Sequence, residues 1–273
     1  MKTRAITGVI FIIVMLSSVM FGPATFFFFY MVLSILCLWE FYSLLRVSGS
    51  DPNRIIGIIN AALLFVGASM VAVSGGDVST RYIFLPMVPG IIAVFVQELF
   101  KKSEAPFTNI AYTVFGLLFI ITPMAFFHAM AYANPLSTFD FHVPLAFMLM
   151  LWSNDTGAYL VGRAIGRTKL FERHSPKKTV EGFVGGVLIA AGAAWIIGHY
   201  FTELKPMQWV GMALLIGFFG TTGDLIESMF KRSINVKDSG GILPGHGGLL
   251  DRFDGLFLAA PVVYTYLYFI SNY

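Results

Sequence analysis

The chain has 273 residues, of which 57% are hydrophobic and 12% charged, with a mean hydropathy of +0.77. Soluble domains carry about 25% charged residues, so this composition argues against a soluble domain and for an integral membrane protein. The formal charge of +3 is too small to argue for a nucleic-acid partner, and the single Cys37 excludes a disulfide within the chain.

Taken in chain order, the first apolar run is Ala5–Phe21, behind Met1-Lys2-Thr3-Arg4. It exceeds the roughly 7–15 residues of a signal-peptide core and no small-x-small site follows, so it is predicted to be a retained first transmembrane helix. Further apolar runs cover about 24–45, 55–74, 82–100, 107–130, 143–162, 183–201, 207–228 and 254–272. Each approaches the roughly 20 residues that cross a bilayer, and segments of that length satisfy their backbone in lipid as helices rather than strands. The expectation is an all-α, polytopic integral membrane protein with about nine transmembrane helices. With the N-terminus in the cytoplasm, only Arg81 and Lys205 of the 18 Lys and Arg residues fall on the far side. That bias predicts a cytoplasmic N-terminus and an external C-terminus.

The whole chain, 1–273, reads as a single membrane domain. Residues 1–150 have short loops and read as scaffold; 151–273 carry two long cytoplasmic loops, 163–182 and 229–253, and most of the polar chemistry. In the run WSNDTGAYLVGRAIGRTKLFERHSPKKTVEG, Trp152–Gly182, Asn154 and Asp155 interrupt an apolar segment, where an ionisable residue is by default a functional candidate. A helix–helix hydrogen bond is the plainer reading. Gly157, Gly162 and Gly166 allow close helix packing or a bend. Ser175, Lys177, Lys178, Thr179 and Glu181, just ahead of a helix, read as a phosphate cradle, because helix N-termini and oriented amides attract anions and Lys adds charge.

Asp224, Glu227 and Lys231 share one face of the next-to-last helix at i, i+3, i+7. A Glu227–Lys231 pair that merely steadies the helix would leave Asp224 without a partner at low dielectric, which argues for a bound cation. Arg232, Lys237 and Asp238 follow, then a glycine-rich run in which His246 is open between metal ligand, phosphate donor and turn residue. Asp251 and Asp254 flank Arg252 at the start of the last helix, where carboxylates also suit the helix dipole. Such hard carboxylate oxygens select Mg2+ or Mn2+, so Asp224, Asp251 and Asp254 are the candidate metal or metal-shell residues.

The run SMFKRSINVKDSGGILPGHGGLLDRFDG, Ser228–Gly255, resembles the signature of the phosphatidate cytidylyltransferase (CDP-diacylglycerol synthase) family, and Ser175–Gly182 is similar in style to a second block of that family. The resemblance implies transfer from CTP to phosphatidic acid, giving CDP-diacylglycerol and pyrophosphate. It implies that Lys231, Arg232, Lys237, Asp238, His246 and Arg252 serve the reaction, and that Ser175–Glu181 meets CTP. It also implies Mg2+ accompanied by a monovalent cation such as K+, a homodimer, and an active site on the cytoplasmic face of a bacterial membrane. Two alternatives stand beside it: a CTP-dependent lipid kinase, and a transporter using the intramembrane acids.

Overall fold

The computed structural model describes residues 2–76, 82–240 and 247–271, so His246 and Arg81 lie outside the described residues. The chain is almost entirely helical. It runs α1 (Lys2–Met20), α2 (Pro23–Val47), α3 (Arg54–Val73), α4 (Met87–Phe100), α5 (Pro106–Gly116), α6 (Thr122–Ala129) and α7 (His142–Ile165). A hairpin of β1 (Lys169–Phe171) and β2 (Ser175–Thr179) follows, then α8 (Val180–Tyr200), α9 (Pro206–Ser233) and α10 (Leu250–Ser271).

The starts and stops follow local chemistry. Gly22 has φ of 104°, which a residue with a Cβ rarely adopts, and Pro23 then opens α2 with its φ already helical. Proline likewise opens α5 and α9. One π turn, Leu117–Ile121, joins α5 to α6, and the Leu117 carbonyl accepts both the Thr122 amide and, at 3.2 Å, the Thr122 hydroxyl.

Among the described residues, seven helical stretches are long and apolar enough to cross a membrane: Pro23–Val47, Arg54–Val73, Tyr82–Phe100, Pro106–Tyr132, Val180–Tyr200, Pro206–Ser233 and Leu250–Ile270. The apolar part of α1, Thr7–Met20, is shorter, and α7, which carries Asn154, Asp155 and Arg163, is not in that set. Outward faces remain greasy, as at Leu99, Phe100 and Leu188. Exposed apolar surface on this scale fits a lipid bilayer. Inside, Phe26, Tyr30, Phe127 and Phe147 form an aromatic core, with Tyr30 and Phe127 ring centres 4.9 Å apart.

Two features differ from the sequence reading. Residues 163–182 are not an open loop: α7 runs on to Ile165, an antiparallel hairpin pairs Lys169 with Thr179, and α8 begins at Val180. The local reason is Thr179, whose hydroxyl accepts the Gly182 amide at 3.2 Å and caps α8, while Thr168 accepts from Val180. The 229–253 loop is also shorter at both ends, because α9 continues through Lys231 and Arg232 and α10 already starts at Leu250.

Helices α7 to α10 pack side by side in sequence order, brought close by glycines. A Cβ on Gly186 of α8 would sit 2.6 Å from the Asn154 carbonyl oxygen of α7. One on Gly223 of α9 would collide with the Asp254 carbonyl of α10. The C-terminal ends of α7 and α9 and the N-terminal ends of α8 and α10 thus meet at one end of the bundle. At that same end, Asp51 lies 2.5 Å from both Arg46 and Lys101, tying the α2–α3 and α4–α5 turns together. Hydrogen bonding to Lys101, with Arg46 beside it, holds the Asp51 carboxyl below its ordinary range.

Candidate functional site

The end where α7–α10 converge holds a cavity of about 1100 Å³. α7 contributes Trp152, Asp155, Tyr159 and Arg163; β2 gives Lys177, Lys178 and Thr179; and α9 gives Thr221, Asp224 and Lys231. Asp238, Gly240 and Gly247 come from the loop before α10, and Asp251, Arg252 and Asp254 from α10 itself. Apolar side chains line the cavity as well, among them Phe11 from α1 and Phe183 from α8. Its volume lies at or above the ordinary small-molecule range of about 300–1,000 Å³, which leaves room for two substrates.

The cavity joins the two constellations into one charged network. Lys178 Nζ stands 2.5 Å from Asp224 Oδ2, so β2 reaches across to α9. This corrects the inference from spacing that Asp224 lacks a partner: its cation is supplied by the hairpin, which spacing along α9 could not reveal. Ser228 also donates to Asp224 Oδ1 at 3.3 Å. Lys231 Nζ bridges Glu227 and Asp251 at 2.5 Å each, and all three side chains are at most 11% exposed.

Asp251 is fully engaged by protein donors. Its Oδ1 faces Lys231, and its Oδ2 accepts the amides of Ser239 (3.0 Å) and Gly248 (3.1 Å). Asp254 has one oxygen on the Gly255 amide at 2.7 Å, and it lies within electrostatic reach of Asp155, Asp224 and Glu227. Three carboxylates, Asp155, Asp224 and Asp254, therefore line one cavity with Lys178 as the cation paired to one of them. Such a set of hard oxygens has the chemistry for a divalent cation. Their ligand atoms are not drawn into one tight group, however. Among the described residues, the group of three with all ligand atoms within 4.8 Å of one another is Asp140, His142 and Glu203, at the opposite end of α7. There His142 Nδ1 meets Asp140 at 2.9 Å and Glu203 at 2.7 Å.

Of the residues expected from sequence, the cavity gathers Lys177, Lys178, Thr179, Asp224, Lys231, Asp238, Asp251, Arg252 and Asp254. It does not gather Ser175, Glu181, Arg232 or Lys237. Glu181 instead accepts the amides of Arg167 (3.0 Å) and Thr168 (3.1 Å) and clasps the base of the hairpin to α8. Arg232 donates to the Val236 carbonyl at 3.3 Å, closing the end of α9.

Residues assigned to scaffold also reach the site. Phe11 walls the cavity, and Glu40 of α2, 4% exposed, accepts the Leu250 amide at 2.8 Å and the Ser239 hydroxyl at 3.4 Å. The only early signal for Glu40 was a charged residue inside an apolar helix.

A model of the cytidylyltransferase family matches residues 2–270 of the chain. The phosphatidate cytidylyltransferase of Bacillus subtilis is 32% identical over 99% of this chain and 99% of that protein. Those of Staphylococcus haemolyticus and Staphylococcus aureus are 31% and 32% identical, each over 96% of this chain and 97% of the relative.

Proposed function

The chain belongs to the cytidylyltransferase family, and on that premise we propose that it transfers the cytidylyl group of CTP to phosphatidic acid in a bacterial cell membrane. A phosphate oxygen of phosphatidic acid attacks the α-phosphorus of CTP. The bond from that phosphorus to the bridging oxygen breaks, and pyrophosphate leaves with its electrons as CDP-diacylglycerol forms. The observation that carries this reading is the cavity itself, which gathers Lys177 and Lys178 of the hairpin with the Asp224, Asp251 and Asp254 carboxylates.

The nucleophile is already anionic, so no general base is needed. The barrier lies in bringing two polyanions together and stabilising charge on the α-phosphoryl group and pyrophosphate, work suited to positioned cations. Lys177 and Lys178, with the Thr179 hydroxyl beside them, are placed to hold the triphosphate. In this reading Arg252, which lines the cavity with Phe11 and Trp152, and Lys231 hold the lipid phosphate while its chains stay against apolar surface. Mg2+ or Mn2+ would be held by Asp224 and Asp254 with Asp155 beside them, and would supply neutralisation of phosphate charge. Asp251 belongs to the surrounding shell, fixing Lys231 and the loop.

The same reading places nine helices across the bilayer, adding α1 and α7 to the seven apolar spans, with the cavity open to the cytoplasm. The Lys and Arg distribution supports that orientation. The test is to give purified protein α-labelled CTP, phosphatidic acid and Mg2+, with and without EDTA. Label entering the organic phase as CDP-lipid, only with metal and phosphatidic acid, is the expected result. Soluble CDP and a newly phosphorylated lipid would make it a kinase, and no reaction from folded protein would refute the proposal.

A further inference from the structure

The loop before α10 is held to the first half of the chain through Glu40. This carboxylate is buried in α2, a helix that otherwise packs through Phe, Leu and Tyr, and its Oε2 takes the Leu250 amide at 2.8 Å and the Ser239 hydroxyl at 3.4 Å. Leu250 opens α10, so Glu40 caps that helix from 210 residues away, satisfying an amide that has no partner within the helix. Ser239 in turn is cross-linked to Asp251: its amide donates to Asp251 Oδ2 at 3.0 Å, and its hydroxyl accepts the Asp251 amide at 3.3 Å. Asp251 then fixes Lys231 on the cavity wall at 2.5 Å. A continuous relay runs from Glu40 through Ser239 and Asp251 to Lys231.

The glycines of the loop agree with this reading. A Cβ on Gly240 or on Gly248 would run into the Glu40 carboxylate, so the backbone on both flanks of the loop is closed down around that one side chain. Glu40 itself does not line the cavity.

We infer that Glu40 is a positioning residue for the cytidylyl transfer: by capping α10 and holding Ser239, it sets the register of the loop that presents Asp251 and, through it, Lys231. This rests on the function proposed above. Its removal lowers turnover more than substrate affinity for CTP, because the Lys177–Lys178 strand is anchored separately, through Thr179 and Glu181.

The test compares the parent protein with Glu40→Gln, Glu40→Ala, Ser239→Ala and the Glu40→Ala/Ser239→Ala double variant. It reads kcat, KM for CTP, thermal midpoint and amide hydrogen exchange across 237–251. Glu40→Ala should lower kcat at least 30-fold with KM for CTP within about threefold, and should speed exchange at Leu250 and Ser239. Glu40→Gln, which keeps an acceptor oxygen, should recover most of the lost turnover, and the double variant should be no slower than Glu40→Ala alone. If exchange and kcat stay at parent values in Glu40→Ala, the inference fails. It fails also if kcat falls only in proportion to unfolded protein, or if the two substitutions multiply independently. The exchange measurement does not depend on activity: a parent that makes no CDP-lipid but shows faster exchange in Glu40→Ala overturns the proposed function, while the anchoring of the loop stands.

Discussion

Replacing Lys231 by Met probes the most heavily charged buried contact in the protein. Lys231 sits 2.5 Å from both Glu227 and Asp251, with side-chain exposures of 11%, 2% and 11%. At an effective dielectric of about 20, Coulomb's law gives roughly 6–7 kcal/mol of gross attraction for each contact. Desolvating three ions consumes most of that, so the intact triad contributes little net stability. Deleting the cation alone is different, because it strands two carboxylates at low exposure, at a cost of about 3–5 kcal/mol. At about 2–4 °C per kcal/mol, the thermal midpoint should fall by roughly 6–20 °C. The double variant Glu227→Gln/Lys231→Met removes the most buried of the stranded charges and leaves Asp251 its two amides. It should recover at least half of the lost midpoint while turnover stays below about 1% of the parent, since Arg252 is then left as the sole cation assigned to the lipid phosphate. Intrinsic fluorescence melts in detergent, paired with the CDP-lipid assay, read both quantities. A single variant melting within 2 °C of the parent, or a double variant as unstable as the single, would refute the burial argument. Recovered turnover in the double variant would remove Lys231 from the chemistry.

Lys177→Ala should raise KM for CTP by about tenfold or more with a small effect on KM for phosphatidic acid; a shift confined to the lipid would mean the two walls are exchanged. Asp254→Asn should cut turnover by at least 100-fold while the metal-free protein melts at or above the parent temperature, because it relieves repulsion from Asp155, Asp224 and Glu227. Melting the parent across a Mg2+ titration should raise the midpoint, and the Asn variant should lose most of that rise; an equal rise in both would separate Asp254 from the metal. The Asp51 carboxyl is held below its ordinary value by Lys101 and Arg46. Its contribution is therefore complete above about pH 4 and is lost as pH falls through the depressed value. Asp51→Asn should melt slightly lower than the parent at pH 7, with the difference shrinking as pH falls below about 4; a difference that stays constant as pH falls would refute the assignment.

Much of this protein was readable along the chain. Apolar run lengths located the seven long apolar spans, because a bilayer sets element length and backbone pairing before any tertiary contact forms. Glycine and proline marked the break at Gly22-Pro23, and the acids and bases at fixed spacing marked both walls of the site. The hairpin of residues 169–179 was not legible, since a short, charged, partly exposed stretch has no clear period and its order comes from Thr179 and Glu181 gripping the start of α8. Nor could spacing reveal that Lys178 answers Asp224, that Asp251 is held by Ser239 and Lys231, or that Glu40 reaches Leu250. Those partners lie on different elements, up to 210 positions apart, and only the packing of the hairpin, α2, α9 and α10 around the same end of the bundle brings them within bonding distance. Composition thus determined that this is a membrane protein, and motif that it belongs with the cytidylyltransferases. Tertiary packing decided which charge neutralises which, because at low dielectric a charge is tolerated only where a neighbouring element supplies its partner.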